Sequence, residues 1–247
     1  MKRFLPFIII AAVALTALAS GAVLYRAKKA ETTAATPDAS TNAAGGQLGA
    51  KPPHVRGQAK AAITIEEFAD FQCPPCETLA GWLPKLEREF TGKVRVVFRN
   101  FPLQMHQHAP AAARAAEAAG LQGKFWEMHD ALYRHRAAWT TATDVLPLFE
   151  GYAGELALDR EKFRADAASA PVSGRVTADQ DRGKSLGVTG TPTLFLNNRV
   201  VPPRAINEKM LRAAIEDTLN GRDPFPTPTP SPSPTPAAVV VPSPTAP

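Results

Sequence analysis

Apolar and polar positions alternate along Ile63-Thr64-Ile65 up to Phe68, the period-two pattern of a strand. From Cys76 to Phe90 the period changes: Leu79, Leu83, Leu86 and Phe90 recur at the spacing of one helical stripe. Val94, Val96, Val97 and Phe98 predict a second strand, closed by Asn100-Phe101-Pro102, where the proline ends the ladder. Ala, Leu, Glu and Arg then dominate from Ala109 to about Leu186. Breaks at Gly120, Gly123, Pro147, Gly151 and Pro171 divide this block into several helices. Thr193-Leu194-Phe195-Leu196 returns to strand character, Asn197-Asn198 predicts a turn, Val200-Val201 pairs back, and Asn207 to Leu219 forms a closing amphipathic helix. The predicted order is strand, helix, strand, helical block, hairpin, helix, a mixed α/β domain.

The two ends break this pattern. Met1-Lys2-Arg3 is basic, and no ionisable side chain follows from Phe4 to Leu24, which marks residues 1–25 as an export signal or membrane anchor. The apolar run, at about 21 residues, is long enough to span a bilayer. Its continuation through Val23-Leu24-Tyr25 favours an uncleaved anchor, and Arg26, Lys28 and Lys29 count against one. Ala17-Leu18-Ala19 leaves cleavage open. On either reading the body of the protein is expected outside the cytoplasm, periplasmic or extracytoplasmic, and attached to the membrane through its N-terminal segment if uncleaved. Residues 26–54 read as a flexible linker of Ala, Thr, Gly and Pro, and residues 223–247 as a disordered Pro-rich tail with polyproline character. Residues 55–222 are left as the folded domain, roughly 165 residues and enough for one α/β core.

Composition changes this picture little. The formal charge is +5, but Lys and Arg are interspersed with acids rather than gathered into a stripe, and no nucleic-acid reading motif accompanies them. Nucleic acid is therefore not expected as a partner. Two cysteines do not make a disulfide framework, and outside the cytoplasm a lone pair reads as redox chemistry.

That pair is Cys73-Pro74-Pro75-Cys76, set where the first strand gives way to the helix. Cys73 falls at a helix N-terminus, where unpaired amides and the helix dipole favour a thiolate. The two-residue gap keeps Cys76 near enough to close a disulfide with Cys73 and to resolve a mixed one. Half of a zinc site is the first alternative. It would need two more ligands, and His106, His108, His129 and His135 do not supply a second pair of matching spacing. A plain structural disulfide is the other alternative, and it would close almost no loop. No metal and no cofactor are expected. The second constellation is Gly187-Val188-Thr189-Gly190-Thr191-Pro192-Thr193, a Gly-rich turn with Pro192 at the mouth of a strand. Taken with the cysteine pair, it looks like the cis-proline loop that faces the dithiol in thioredoxin folds.

On these motifs, with Phe98-Arg99-Asn100-Phe101-Pro102-Leu103 and Gln122-Gly123-Lys124-Phe125-Trp126-Glu127-Met128-His129-Asp130, the chain resembles the DsbA-like thiol-disulfide oxidoreductases. The resemblance implies a thioredoxin-like fold with an inserted helical subdomain, about residues 105–186, between the second strand and the cis-proline loop. It implies disulfide exchange with exported proteins as substrates, Cys73 exchanging and Cys76 resolving, with Thr191 and Pro192 pairing the substrate. It also implies re-oxidation by a membrane quinone reductase of the DsbB or VKOR type. A buried acid six residues before the first cysteine would fall on Glu67 and relay protons for Cys76; Glu66 competes for the inward position. Pro74 and Pro75 depart from the strongest oxidases. No histidine stands between the cysteines and Pro75 lacks an amide, so a less oxidising disulfide is expected. Thr191 is similar to the residue before the cis-proline of disulfide isomerases, which keeps a reductase or isomerase as an alternative. A tethered binding protein for unfolded chains, with a structural disulfide, is the alternative of another class.

Overall fold

The computed structural model describes residues 48–226. The expected signal or anchor, most of the expected linker and most of the Pro-rich tail lie outside the described residues, among which no helix is long and apolar enough to cross a membrane. The chain runs β1 (His54–Gly57), β2 (Ile63–Ala69), α1 (Pro74–Glu89) and β3 (Val94–Asn100). A helical block follows: α2 (Ala109–Gly120), α3 (Phe125–Arg134), α4 (Arg136–Trp139), α5 (Leu146–Glu155), α6 (Arg160–Ala168) and α7 (Ala170–Ser185). The chain closes with β4 (Thr193–Leu196), β5 (Arg199–Val200) and α8 (Glu208–Leu219). The five strands form one sheet in the order β1-β3-β2-β4-β5, with β2 and β3 parallel and every other neighbour antiparallel. This is a thioredoxin-like fold with its helical insert between β3 and β4.

The insert begins after the Val94–Asn100 run, as the sequence implies, and only the count of strands differs. The insert follows the third strand of the chain, because β1 precedes the two strands legible as apolar runs. His-Val-Arg-Gly carries one aliphatic side chain and shows no alternation, so β1 is an edge strand held by its backbone to β3, with His54 opposite Phe98 and Gly57 opposite Arg95. Packing also begins earlier than residue 55. Ala50 is buried, its amide donating to Asp179 Oδ1 at 2.9 Å and its carbonyl accepting from Arg99 at 3.0 Å.

Both faces of the sheet are covered, which is why β2 is buried along nearly its whole length. Ile63 and Ile65 lie on the face packed by α1 and α8, among Leu79, Leu83, Leu211 and Ile215. Alternation puts Glu67 on that same face. Glu66 and Phe68 point the other way, toward α7. There Gly183 is required: a Cβ would stand 2.6 Å from the Phe101 ring and 3.0 Å from Phe68, so only glycine lets α7 close on the sheet. A third cluster ties the insert to the dithiol loop, joining Phe71, Cys73, Cys76 and Phe98 to Met128, Leu132 and the alanine-rich face of α2.

Closure of α7 buries an ionic cluster. The Glu66 carboxylate accepts from Arg99 Nε at 2.8 Å and from Arg182 through both oxygens at 2.7 Å, and Arg99 also reaches Asp179 at 3.0 Å. Burial pushes the Glu66 carboxyl up, but Arg182 and Arg99 outweigh it and hold the group below its usual range. Glu66→Ala takes the shared carboxylate from two buried guanidinium groups, so it is expected to cost about 3–5 kcal/mol. Denaturant unfolding of the full chain measures this, and a loss below about 1 kcal/mol, the scale of a surface pair, would show that the cluster is not acting as a buried one.

Candidate active site

Strand β2 ends at Ala69, and Asp70-Phe71-Gln72 carries the chain to Cys73, the N-cap of α1. Cys73 is extended, with φ −75° and ψ 122°, as expected for a residue before proline. Pro74 and Pro75 fill the first two helical positions, where a preset φ starts a helix and a missing amide costs no helical hydrogen bond. The dithiol is therefore left with the Cys76 amide as the first N–H of the helix.

Both sulfurs are free thiols. Cys73 retains 5% exposure and Cys76 none. Thr191-Pro192 is cis, as is Lys51-Pro52, and the Thr191 carbonyl accepts from Cys73 Sγ at 3.3 Å. The loop before β4 thus lies against the dithiol, although 118 residues separate the two motifs. A hydrogen bond from Cys76 pulls the Cys73 thiol down to about 6; burial opposes this, and the Thr191 side chain and the Cys76 amide add to it. The Thr191 hydroxyl is buried and otherwise unpartnered among the described residues, so it can donate to a thiolate. Burial, Cys73 and Glu67 together push the Cys76 thiol far above its ordinary value. The pair is polarised into one acidic and one reluctant thiol.

Alternation decides between the two glutamates. Glu66 is committed to Arg99 and Arg182 on the α7 face, whereas Glu67 is 1% exposed on the face shared with α1. Burial pushes its carboxyl up to about 8, with Arg56 opposing and Glu87 adding, and its Oε1 has no hydrogen-bond partner among the described residues. This acid stands within electrostatic reach of Cys76, whose pKa its ionisation raises.

Several residues that hold the site do not stand out in the sequence. Asp70, buried beside the dithiol loop, accepts from the Gln72 amide at 2.7 Å and the Leu103 amide at 2.8 Å, and pairs with His106 Nδ1 at 2.8 Å. Gln72 Oε1 receives the His108 amide at 2.9 Å. From α4, Arg136 donates to the Gln72 carbonyl at 3.0 Å and to Glu77 Oε2 at 2.6 Å, bracketing the cysteines from both sides. The one available signal was the acid three residues before Cys73; the partners on the insert are remote in sequence and carry none. The histidines weighed as zinc ligands are scattered. His106 serves Asp70, His129 is buried among Phe71, Phe98 and Trp126 with Nδ1 on Asp130, and His135 stacks on Tyr152.

An acidic thiol at a helix start, a buried partner thiol and a facing cis-proline loop under a helical cap are the parts of a DsbA-type thiol-disulfide oxidoreductase, and comparison with known proteins agrees. The chain belongs to the Thioredoxin_4 family, described as thioredoxin, whose model matches residues 50–217. Among solved structures it is similar to a thioredoxin-like oxidoreductase from Silicibacter pomeroyi DSS-3, with 26% identity and TM-score 0.57 over 68% of this chain and 92% of that one. It is also similar to Pseudomonas aeruginosa DsbA2, with 29% identity and TM-score 0.53 over 67% and 92%. Oxidised BdbD from Bacillus subtilis shares the fold at 23% identity, TM-score 0.61, over 70% and 98%. Among curated proteins, Na(+)/H(+) antiporter NhaA 1 of Salinispora arenicola (strain CNS-205) is 43% identical over 147 residues, 59% of this chain and 22% of the antiporter. Antiporter NhaA of Herminiimonas arsenicoxydans is 38% identical over 146 residues, again 22% of its length. The chain spans under a quarter of the curated relatives it matches.

Proposed function

We propose that this oxidoreductase introduces disulfides into exported proteins. The observation that carries the direction is the Cys73 thiol, held down at about 6 by Cys76 and Thr191. A depressed thiol pKa stabilises the reduced protein and leaves the disulfide correspondingly oxidising. At pH 7 the difference between 6 and 9 amounts to about 1.4 kcal/mol, or about 30 mV for a two-electron couple.

In the forward reaction a client thiolate attacks Cys73 Sγ of the Cys73–Cys76 disulfide. A mixed disulfide forms, and the Cys76 thiolate that leaves takes a proton from Glu67. A second client thiolate then attacks the client sulfur of the mixed disulfide, forming the client disulfide and expelling Cys73 as a thiolate. The client loses two electrons and the enzyme dithiol gains them; Thr191 and Pro192 present the backbone along which the client pairs. Electrons leave to a membrane quinone reductase of the DsbB or VKOR type, by analogy with the family. The apolar segment 1–25 supports an extracytoplasmic domain held at the membrane. So does the occurrence of matching stretches inside chains named as antiporters; ion transport is not assigned to this chain.

The reduction potential tests the direction. It is expected between about −270 mV, the thioredoxin value, and about −120 mV, that of the strongest oxidase. Its pH dependence is expected to break near pH 6, from about 60 mV per unit below to about 30 mV per unit above, since one thiol stays protonated. A potential at or below that of thioredoxin, or a dithiol kept reduced in the cell, would reassign the enzyme as a reductase or isomerase.

A further inference from the structure

Away from the dithiol, helices α2, α5 and α6 leave an open cavity of about 430 Å³ between them. Small side chains are the cause. Ala111 and Ala115 of α2 and Ala168 at the end of α6 face Phe149 and Phe163, which form a buried aromatic floor. Leu146 lies at the rim with 55% of its surface exposed, although an apolar side chain of this size gains from burial. The volume falls within the range of about 300–1,000 Å³ typical of ligand sites.

The rim carries two acids and two arginines, and they are not equally engaged. Arg164 holds Glu150 through two bonds of 2.6 Å, and Asp144 Oδ1 accepts the Leu146 amide at 3.0 Å. Arg114, half-buried in the cavity wall, has no hydrogen bond or ion pair among the described residues. A guanidinium held beside an apolar floor without a carboxylate is complementary to a ligand that brings one.

The cavity is also within reach of the exchange site. The amide of His108, the N-cap of α2, bonds Gln72 Oε1 at 2.9 Å, and Gln72 adjoins Cys73. Arg114 lies six residues further along α2, about 9 Å of helical rise. An extended polypeptide, at about 3.4 Å per residue, covers that distance and the step to Cys73 in about three to five residues.

We propose that this groove is a client subsite, taking a large apolar side chain with a neighbouring carboxylate about four residues from the exchanging cysteine. It rests on the reading of the chain as an enzyme for protein thiols. The floor would accept the side chain, Arg114 the carboxylate, and the two contacts together would hold the client chain while its sulfur exchanges at Cys73.

The test uses the oxidised full chain and reduced peptides bearing a cysteine pair, with Phe-Asp, Phe-Lys or Ser-Ser placed four residues away. Dithiothreitol serves as the small dithiol. The Phe-Asp peptide is expected to be oxidised on the order of tenfold faster than the Ser-Ser peptide. Arg114→Glu should reverse the order of Phe-Asp and Phe-Lys, and Ala168→Trp, at an exposed rim position, should remove the advantage of Phe. Both variants should oxidise dithiothreitol at the unsubstituted rate. Normal oxidation of dithiothreitol with equal rates for all three peptides would overturn the subsite alone, as would an Arg114→Glu effect of equal size on every peptide. Failure to oxidise dithiothreitol at all would overturn the enzyme reading, and the subsite with it.

Discussion

Cys73→Ser is expected to lose thiol exchange altogether. The remaining sulfur, Cys76, is fully buried, and burial together with Glu67 still raises its thiol above the ordinary value, so almost none of it is thiolate near neutrality. A serine hydroxyl at position 73 cannot form the disulfide that transfers the electrons. The fold should persist, because the exchange replaces one small side chain at a helix N-cap, where serine is a favoured residue. Insulin reduction and peptide oxidation both check the result, with unfolding by denaturant as the control. Retention of measurable exchange by a folded Cys73→Ser protein would remove Cys73 from the role of exchanging sulfur.

Glu67→Gln is expected to slow turnover by about a hundredfold while the fold gains stability at alkaline pH. The kinetic part follows from the loss of the proton donor to the Cys76 thiolate. In the unsubstituted enzyme the forward rate should fall as Glu67 ionises near pH 8, and in the variant that limb should vanish. The stability part follows from linkage. The folded-state pKa is raised above the unfolded value, so the contribution of the group is fully present below about pH 4.5 and is lost as pH rises through about 8. A shift of that size is worth roughly 5 kcal/mol above pH 8, and glutamine, which never ionises, should be free of the loss. Rates and urea midpoints between pH 6 and 9 measure both. Identical pH profiles for the two proteins would eliminate Glu67 as the proton relay.

Much of this was legible in the chain. Strand β2, helix α1 and strand β3 are written as a change of period from two to 3.6 and back, and Pro74-Pro75 marks the helix start that places Cys73 at its cap. The helical block was readable as several helices because Gly and Pro interrupt it. Strand β1 was not readable, since its pairing is made by backbone amides and carbonyls that every sequence possesses. The clamp around the dithiol was equally hidden. Asp70, Gln72 and Arg136 are ordinary polar residues until the insert folds over them, and their partners lie 33 to 64 residues away.

By itself, then, the sequence determined the local chemistry: a pair of thiols at a helix start, a proline at a strand mouth, and the elements that carry each. Tertiary structure decided what those groups are. It set Cys73 against Thr191 across 118 residues, where the Thr191 side chain adds to the hydrogen bond from Cys76 that makes the Cys73 thiol acidic. It also covered both faces of β2, sending Glu66 to two arginines and leaving Glu67 neutral beside Cys76. The physical reason is that a pKa depends on everything that surrounds a group and not only on its neighbours along the chain, and two adjacent glutamates in a strand look the same until each face of the sheet has acquired its cover.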